Sequence, residues 1–450
     1  MEVRGHKVLK RKQDIIHNKP YQAELTFWQI LAYGCVRVPL AIGFATLMMF
    51  IPTYYGIDLK LGLGLVGVLL AAGRVFDFIT DPLIGFLSDK INSRFGVRKP
   101  LVCLGLSLFC LATFLLFLPP QNVSPIYFFI SACLYFLSFT LCDIPVSAIG
   151  LEVSVHTDER TRLALSRALF FILGGMIGAS IPLIWKQNLE TSFSIAVLTI
   201  FITAIITGII FLCFAPTSAR QNTDISHKSI LKTFPNLLAN IHIRRILILF
   251  FLLMLASSLA SSLSLLYVSF ILKAPKALGL FWLASGVGIL CGLPLWYFVS
   301  LKIGKIECWR RAILLTVLFG LPLIILGEGD NYFMIGISFA LGVCGACDLL
   351  IPVSMLADHV GENDSREAGS ITALKNSVSK LSIIGPMLMA FPLLGYIGIS
   401  RETAKIAQVS ADLTQFQSII LIGLYAGLPL TLRLTAFFAV PKLWPNRYKS

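Results

Sequence analysis

"RVFDFITDPLIGFLSDKINSRFGVRKP" spans residues 74–100. Its first part lies in an apolar segment long enough to cross a bilayer, yet Arg74, Asp77 and Asp81 are ionisable. Their spacing of i, i+3 and i+7 puts all three on one helical face, with Thr80 flanking the same stripe. A charge at the bilayer centre costs ~2.5–3.5 kcal/mol on insertion scales. Three facing lipid would nearly cancel the apolar gain of a span, so the stripe must face the interior of a bundle. One aspartate can pair with Arg74, which leaves a second carboxylate without a local partner. That group takes a proton or holds a cation, and Asp77, Asp81 and the Thr80 hydroxyl offer hard oxygen ligands within two turns. The plainer reading is an Asp-Pro kink with a structural ion pair.

The rest of the chain supplies the membrane. It is 56% hydrophobic and 13% charged, against about 25% charged for soluble domains. Continuous apolar runs predict helices rather than the alternation of a barrel. Twelve spans are predicted at about 25–54, 61–88, 100–118, 125–150, 160–185, 192–214, 246–272, 277–299, 312–327, 331–356, 367–397 and 414–440. Of the 37 Lys and Arg, 25 fall on the side of the N-terminus, six in the opposite loops and six within spans. This is the positive-inside pattern, which predicts that both termini are cytoplasmic. The net charge of +14 is therefore mainly topological, and nucleic acid is not expected as a partner. The basic N-terminal tail has no apolar core and is not a cleavable signal. The ten cysteines lie mostly within spans, and Cys344 and Cys347 read as small residues at a helix contact rather than as a metal or redox pair.

Internal repetition divides the chain. "SDKINSRFGVRKP" (88–100) after span two recurs as "SLKIGKIECWRRA" (300–312) after span eight, and "CDIPVS" (142–147) recurs as "CDLLIPVS" (347–354). Two six-span halves in parallel orientation are expected. The predicted organisation is a cytoplasmic tail at 1–24, a six-helix bundle at 25–215, a polar linker at 216–243, a second bundle at 244–440 and a tail at 441–450. Rocking of one half against the other about a midplane site is the expected motion.

Other ionisable residues lie within spans. Asp143 follows Thr140 by three residues in span four, Arg167 opens span five, and Lys380 lies within span eleven. Opposite charges on different spans describe a polar cavity lined from both halves, and intramembrane charges are functional by default. Arg37 and Arg433 read as snorkelling or packed, and Lys375 as lying near the cytoplasmic end. Gly174, Gly175, Gly178, Gly286, Gly288 and Gly292 read as sites of close helix approach. Gly85, Asp89, Lys90, Arg94, Arg98 and Lys99 make a candidate cytoplasmic gate, in which Asp89 holds its basic neighbours in one access state and releases them in the other.

At this point the motifs carry a family. "GFLSDKINSRFGVRK" resembles the loop signature of the major facilitator superfamily. The longer 74–100 stretch is similar to that of the glycoside–pentoside–hexuronide:cation symporters, the melibiose permease group. "TLCDIPVSAIGLEV", "DERTRLALSRALFFILGG" and "LIPVSMLADHV", followed by a span-eleven lysine, fit the same pattern in order, from about residue 27 to 440. The resemblance implies that Asp77, Asp81, Thr80 and Thr140 bind the coupling cation, with Thr80 standing where the family has Asn. It implies that Asp143 and Arg167 bind solute, that Lys380 links solute and cation, and that Arg74 stands beside the cation site. One departure is plain: sugar-carrying members hold an aspartate in span one, and "YGCVRVPLAIGFA" has none, with Pro39 or a neighbour at that place. Animal relatives that move lysolipids also have Pro in this region.

The expected protein is thus an all-α membrane protein of the major facilitator fold and not an enzyme; no nucleophile–base or metal constellation is present. It is expected to be a Na⁺- or H⁺-coupled symporter of a glycoside or related small solute, working by alternating access. A lysolipid or amphiphile transporter on the same fold is the alternative, and a non-transporting membrane sensor a more distant one. No cofactor beyond the coupling ion is expected, the partners are the solute and the bilayer, and a monomer in a bacterial inner membrane is expected.

Overall fold

The computed structural model describes residues 25–90, 98–153, 157–184, 189–216, 237–357, 365–399 and 413–444. The predicted N-terminal tail, residues 445–450 of the predicted C-terminal tail, most of the 216–243 linker, and Arg94 of the candidate gate lie outside the described residues, as do the side chains of Asp89 and Lys90.

The described chain is helical throughout. The first bundle holds α1 (Phe27–Asp58), α2 (Leu63–Lys90), α3 (Lys99–Phe117), α4 (Pro125–Glu152), α5 (Thr157–Ile184) and α6 (Leu189–Phe214). The second holds α7 (Ile241–Phe270), α8 (Leu278–Ile303), α9 (Lys305–Gly320), α10 (Asn331–Ala357), α11 (Ser365–Tyr396) and α12 (Gln415–Leu443). Polar residues start several of them. Thr26 caps α1 and Thr414 caps α12 through reciprocal bonds with Gln29 and Gln417, which satisfies backbone donors left open at a helix start. The first span is not one rod: it breaks at Val36, immediately before Arg37, and ends in a π turn over Tyr54–Asp58.

Among the described residues, eleven helices are long and apolar enough to cross a membrane. The twelfth segment corrects the sequence reading. The stretch 300–311, expected as a loop, is almost wholly helical, because Gly304 alone turns the chain with φ +82°. Glycine accepts that angle without steric cost, so α8 runs on to Ile303 and α9 begins at Lys305. The 16 residues of α9 rise ~24 Å. The 3₁₀ turn Leu321–Ile324 that follows lengthens it at ~2.0 Å per residue toward the hydrocarbon thickness of about 30 Å.

The end of the molecule where α1 starts and α12 finishes carries Arg98, Lys99, Arg162, Arg244, Arg245, Lys302, Lys305 and Lys442, and is called the basic end below. The apolar cores differ between the two ends. The first bundle's main core is continuous with Leu259–Leu272 of α7 and the turn after it, Phe281 of α8, Met334 of α10, Met387–Leu394 of α11 and Tyr425 of α12. All of these lie toward the opposite end. Toward the basic end the second bundle has a separate core, built from Ile243–Leu253, Trp296, Trp309, Ile351, Met355 and Val440. Among the described residues, the halves therefore share a core along the opposite end and have separate cores toward the basic end.

Glycine makes the meeting close. A Cβ on Gly67 of α2 would lie 2.5 Å from the Met387 carbonyl of α11, and one on Gly64 would lie 3.4 Å from Pro392 Cα. Of the six glycines expected at helix contacts, five sit against a neighbouring helix, and Gly175 faces open space.

Candidate functional site

Asp77 sits at the centre of the α2 stripe and is 1% exposed. Thr140 of α4 donates its hydroxyl to Asp77 Oδ1 at 2.5 Å. Lys380 Nζ of α11 reaches Asp77 Oδ2 at 2.9 Å and donates to both oxygens of Asp81, at 2.7 and 2.6 Å. The ammonium thus bridges two carboxylates on successive turns of α2, and in doing so ties the second bundle to the first. Arg74 lies 3.6 Å from Asp77 Oδ2, with its guanidinium over the Phe136 ring at 4.0 Å from the centroid. That stacking supplies a cation–π attraction in place of further hydrogen bonds, and Arg74 Nε and one Nη are buried without a hydrogen-bond partner among the described residues. Thr80 donates its hydroxyl to the Asp77 carbonyl at 3.1 Å, and its oxygen keeps acceptor capacity.

Five of the residues expected for cation and coupling work are therefore in one cluster: Arg74, Asp77, Asp81, Thr140 and Lys380, with Thr80 on its rim. The cluster is electrically neutral, two carboxylates against one guanidinium and one ammonium. Carboxylate and hydroxyl oxygens on α2 and α4 are the donor set that a hard cation takes, and the position between the carboxylates is the one that the Lys380 ammonium holds.

Asp143 and Arg167, expected to bind solute, are also brought together. Arg167 donates to Asp143 Oδ1 at 3.0 Å. The second partner of that oxygen is Arg37 of α1, at 2.5 Å, so of the two readings of Arg37, snorkelling or packed, the packed and inward one holds. The break at Val36 starts a new helical segment at Arg37, and the guanidinium turns inward to Asp143 and the Phe171 ring, 5.4 Å from its centroid. Span one holds no acid, but a base two residues before Pro39 faces the same site. Arg37 lies as deep in α1 as Arg167 lies in α5, and this shared depth is the signal in the sequence that points to it.

The duplicated Cys-Asp motif behaves differently in its two copies. Asp143 is 22% exposed and shared between two arginines. Asp348 is 2% exposed; it accepts from Trp309 Nε1 at 2.9 Å and from Arg433 at 2.9 Å, and Arg433 also donates to Ser257 at 2.8 Å. This packed network joins α7, α9, α10 and α12 and agrees with the packed reading of Arg433. Cys344 and Cys347 are buried free thiols beside it.

At the basic end, Arg98 donates to Ser88 of α2 at 2.7 Å. Lys99 donates to the carbonyls of Leu212 at 3.0 Å and Ala215 at 2.7 Å. All three bonds stay within the first bundle. Gly85 lies inside α2.

The comparisons with known proteins bear on the family and the fold. The family described as MFS/sugar transport protein matches residues 32–440. The inner membrane symporter YicJ of Escherichia coli is 25% identical over 414 residues, covering 89% of this chain and 87% of the relative. An uncharacterised symporter of Bacillus subtilis, YnaJ, is 25% identical over 304 residues, 65% of each chain. The mouse sodium-dependent lysophosphatidylcholine symporter 1 is 26% identical over 166 residues, 35% of this chain and 31% of the relative. Among solved structures, a bacterial homologue of the human lysosomal transporter Spinster superposes with a TM-score of 0.68 at 12% identity, covering 95% of this chain and 98% of that one. The nucleoside transporter NupG gives 0.64 at 13% identity, with 93% and 100% covered; at such identity these likenesses speak for the fold alone. With a twelve-segment helical architecture, a neutral charge cluster across its two halves and a family match over nearly its whole length, this chain belongs to the MFS/sugar transport family.

Proposed function

We propose that the protein is a cation-coupled symporter of a glycoside or related small organic solute, working by alternating access. The observation that carries the reading is the Lys380 ammonium seated on Asp77 and Asp81, a bond between α11 and α2 and hence between the two bundles. A cation bound to Asp77, Asp81, Thr140 and Thr80 displaces that ammonium. When the cation leaves, Lys380 returns and keeps the carboxylates neutralised, which spares the empty carrier from moving uncompensated charge through low dielectric. Coupling needs cation and solute each to favour one state over the other, and a residue that exchanges places with the cation provides that difference.

In this reading Asp143, Arg167 and Arg37 meet the solute, one turn nearer the basic end than Asp77 and Thr140. The basic end is cytoplasmic, on the excess of Lys and Arg there. The arrangement in hand, closed at the opposite end, is then the inward-facing one, and the membrane is a bacterial inner membrane. The relatives include a putative glycoside/cation symporter and a glucuronide carrier protein homolog, both of E. coli, which favours a sugar derivative over an amphiphile; Na⁺ is the cation to test first.

Uptake into proteoliposomes under an imposed inward Na⁺ gradient tests this, with labelled glycosides, pentosides, hexuronides and lysolipids, wild type beside Asp77→Asn. Saturable, gradient-dependent accumulation of a sugar derivative is expected in the wild type and none in the variant. Accumulation by Asp77→Asn equal to wild type would sink the cation assignment.

A further inference from the structure

A second set of charges lies at one depth. Arg37 is ten residues from Phe27, Asp143 nine from Glu152, Arg167 ten from Thr157 and Lys375 ten from Ser365, each counted from its helix terminus at the basic end. At 1.5 Å per residue all four sit ~15 Å in from that end. They come from α1, α4, α5 and α11, so both bundles contribute. Lys375 is within electrostatic reach of Arg37, Arg167 and Asp143, and its ammonium stands 5.9 Å from the centroid of the Phe250 ring. Among the described residues no carboxylate forms an ion pair with it.

The charge count separates this ring from the cation cluster. Arg74, Lys380, Asp77 and Asp81 cancel. Arg37, Arg167, Lys375 and Asp143 leave a surplus of two positive charges. Both guanidiniums converge on the same oxygen, Asp143 Oδ1, at 2.5 and 3.0 Å. Arg37 Nε and Arg167 Nε are buried without a hydrogen-bond partner among the described residues. One aspartate needs one arginine as a counter-ion. A second arginine and a lysine at the same depth raise the repulsion inside a low-dielectric site, and buried donors without acceptors cost stability. An oxyanion removes both costs at once, because a guanidinium offers paired N–H groups that match a carboxylate, sulfate or phosphate.

We propose that Arg37, Arg167 and Lys375 form an oxyanion subsite, and that the transported solute carries its anionic group there. The assignment of the ligand as the transported solute rests on the symport reading above; the subsite does not. Arg37 is then the residue that selects a charged solute over its neutral counterpart. Movement of one monovalent cation with one monoanion carries no net charge, so transport of such a solute is electrically silent.

The experiment is calorimetric titration of the purified full chain with matched pairs: 4-nitrophenyl glucuronide against 4-nitrophenyl glucoside, glucose 6-phosphate against glucose, and lysophosphatidate against monoacylglycerol. The anion of at least one pair is expected to bind on the order of tenfold tighter than its neutral partner. That preference is expected to be lost in Arg37→Gln, reduced in Lys375→Met and partly kept in Arg37→Lys. Which pair responds tells a sugar acid from a phosphate ester or a lipid headgroup. No anion binding tighter than its neutral partner, or a preference unchanged in both Arg37→Gln and Lys375→Met, overturns the subsite. Should Arg37→Gln fail to fold, Lys375→Met decides. Anion-selective binding without cation-driven uptake keeps the subsite and overturns the symport reading, while cation-driven uptake with a neutral preference does the reverse.

Discussion

Three groups from three helices meet Asp77 in the middle of the molecule: Thr140, Lys380 and Arg74. Of these, Lys380 alone belongs to the second bundle, so its removal separates two properties that act together in the wild type. Lys380→Ala leaves two carboxylates unneutralised whenever no cation is bound. Net uptake is expected to fall on the order of tenfold or more, while exchange of internal for external solute, which needs no empty return step, persists. Comparing labelled-solute counterflow with net uptake checks this, and an equal loss of both would assign Lys380 to solute binding instead. The stripe on α2 was legible in the sequence because its members are near neighbours in one helix. The partner of Arg37 was not, since Asp143 lies more than a hundred residues away and the residue types alone do not distinguish a snorkelling arginine from an inward one.

At the scale of elements, the duplicated Cys-Asp motif shows how one sequence pattern serves two ends. In α4 the aspartate is left partly exposed between arginines. In α10 it is sealed by Trp309 and Arg433. The sealed copy holds helices in place. Arg433→Met strands the Asp348 carboxylate and is expected to cost about 3–5 kcal/mol, seen as a lower thermal unfolding midpoint in detergent. The double variant Arg433→Met with Asp348→Leu is expected to recover much of it, because no buried charge is then unpaired. Cation stimulation of uptake should survive in the double variant; its loss would give Asp348 a part in coupling. The α8–α9 junction was misread for a related reason. Basic residues near a repeat of a loop signature suggest a loop, yet Gly304 turns the chain alone and Cys308 and Trp309 are buried, which only the packing of α9 on α10 reveals.

At the scale of the whole molecule, the contact between α2 and α11 at the end opposite the basic one is held by the absence of side chains. Gly67→Leu places branched carbon where the Met387 carbonyl and Phe391 now lie. The two helices must separate there, and the population is expected to shift toward the arrangement open at that end. A cysteine introduced at Leu70, which is fully buried, should then react with a membrane-impermeant maleimide added from outside, read by mass spectrometry at that position. No gain in labelling over the Leu70→Cys single variant would show that this glycine contact does not set the closed end. The two-bundle architecture itself was legible from apolar runs, the charge asymmetry and the repeat. Which end is closed was not, because both arrangements use the same spans and differ only in which faces touch.

Lys99 gives the first bundle a further property. Its ammonium is bonded to the last-turn carbonyl of Leu212 in α6 and to that of Ala215 just beyond, where the helix dipole favours a cation. A helix end left loose is free to fray; this one is tied by its last carbonyls to the first residue of α3. Lys99 acts as a mooring, and the first bundle fastens its own last helix without help from the second.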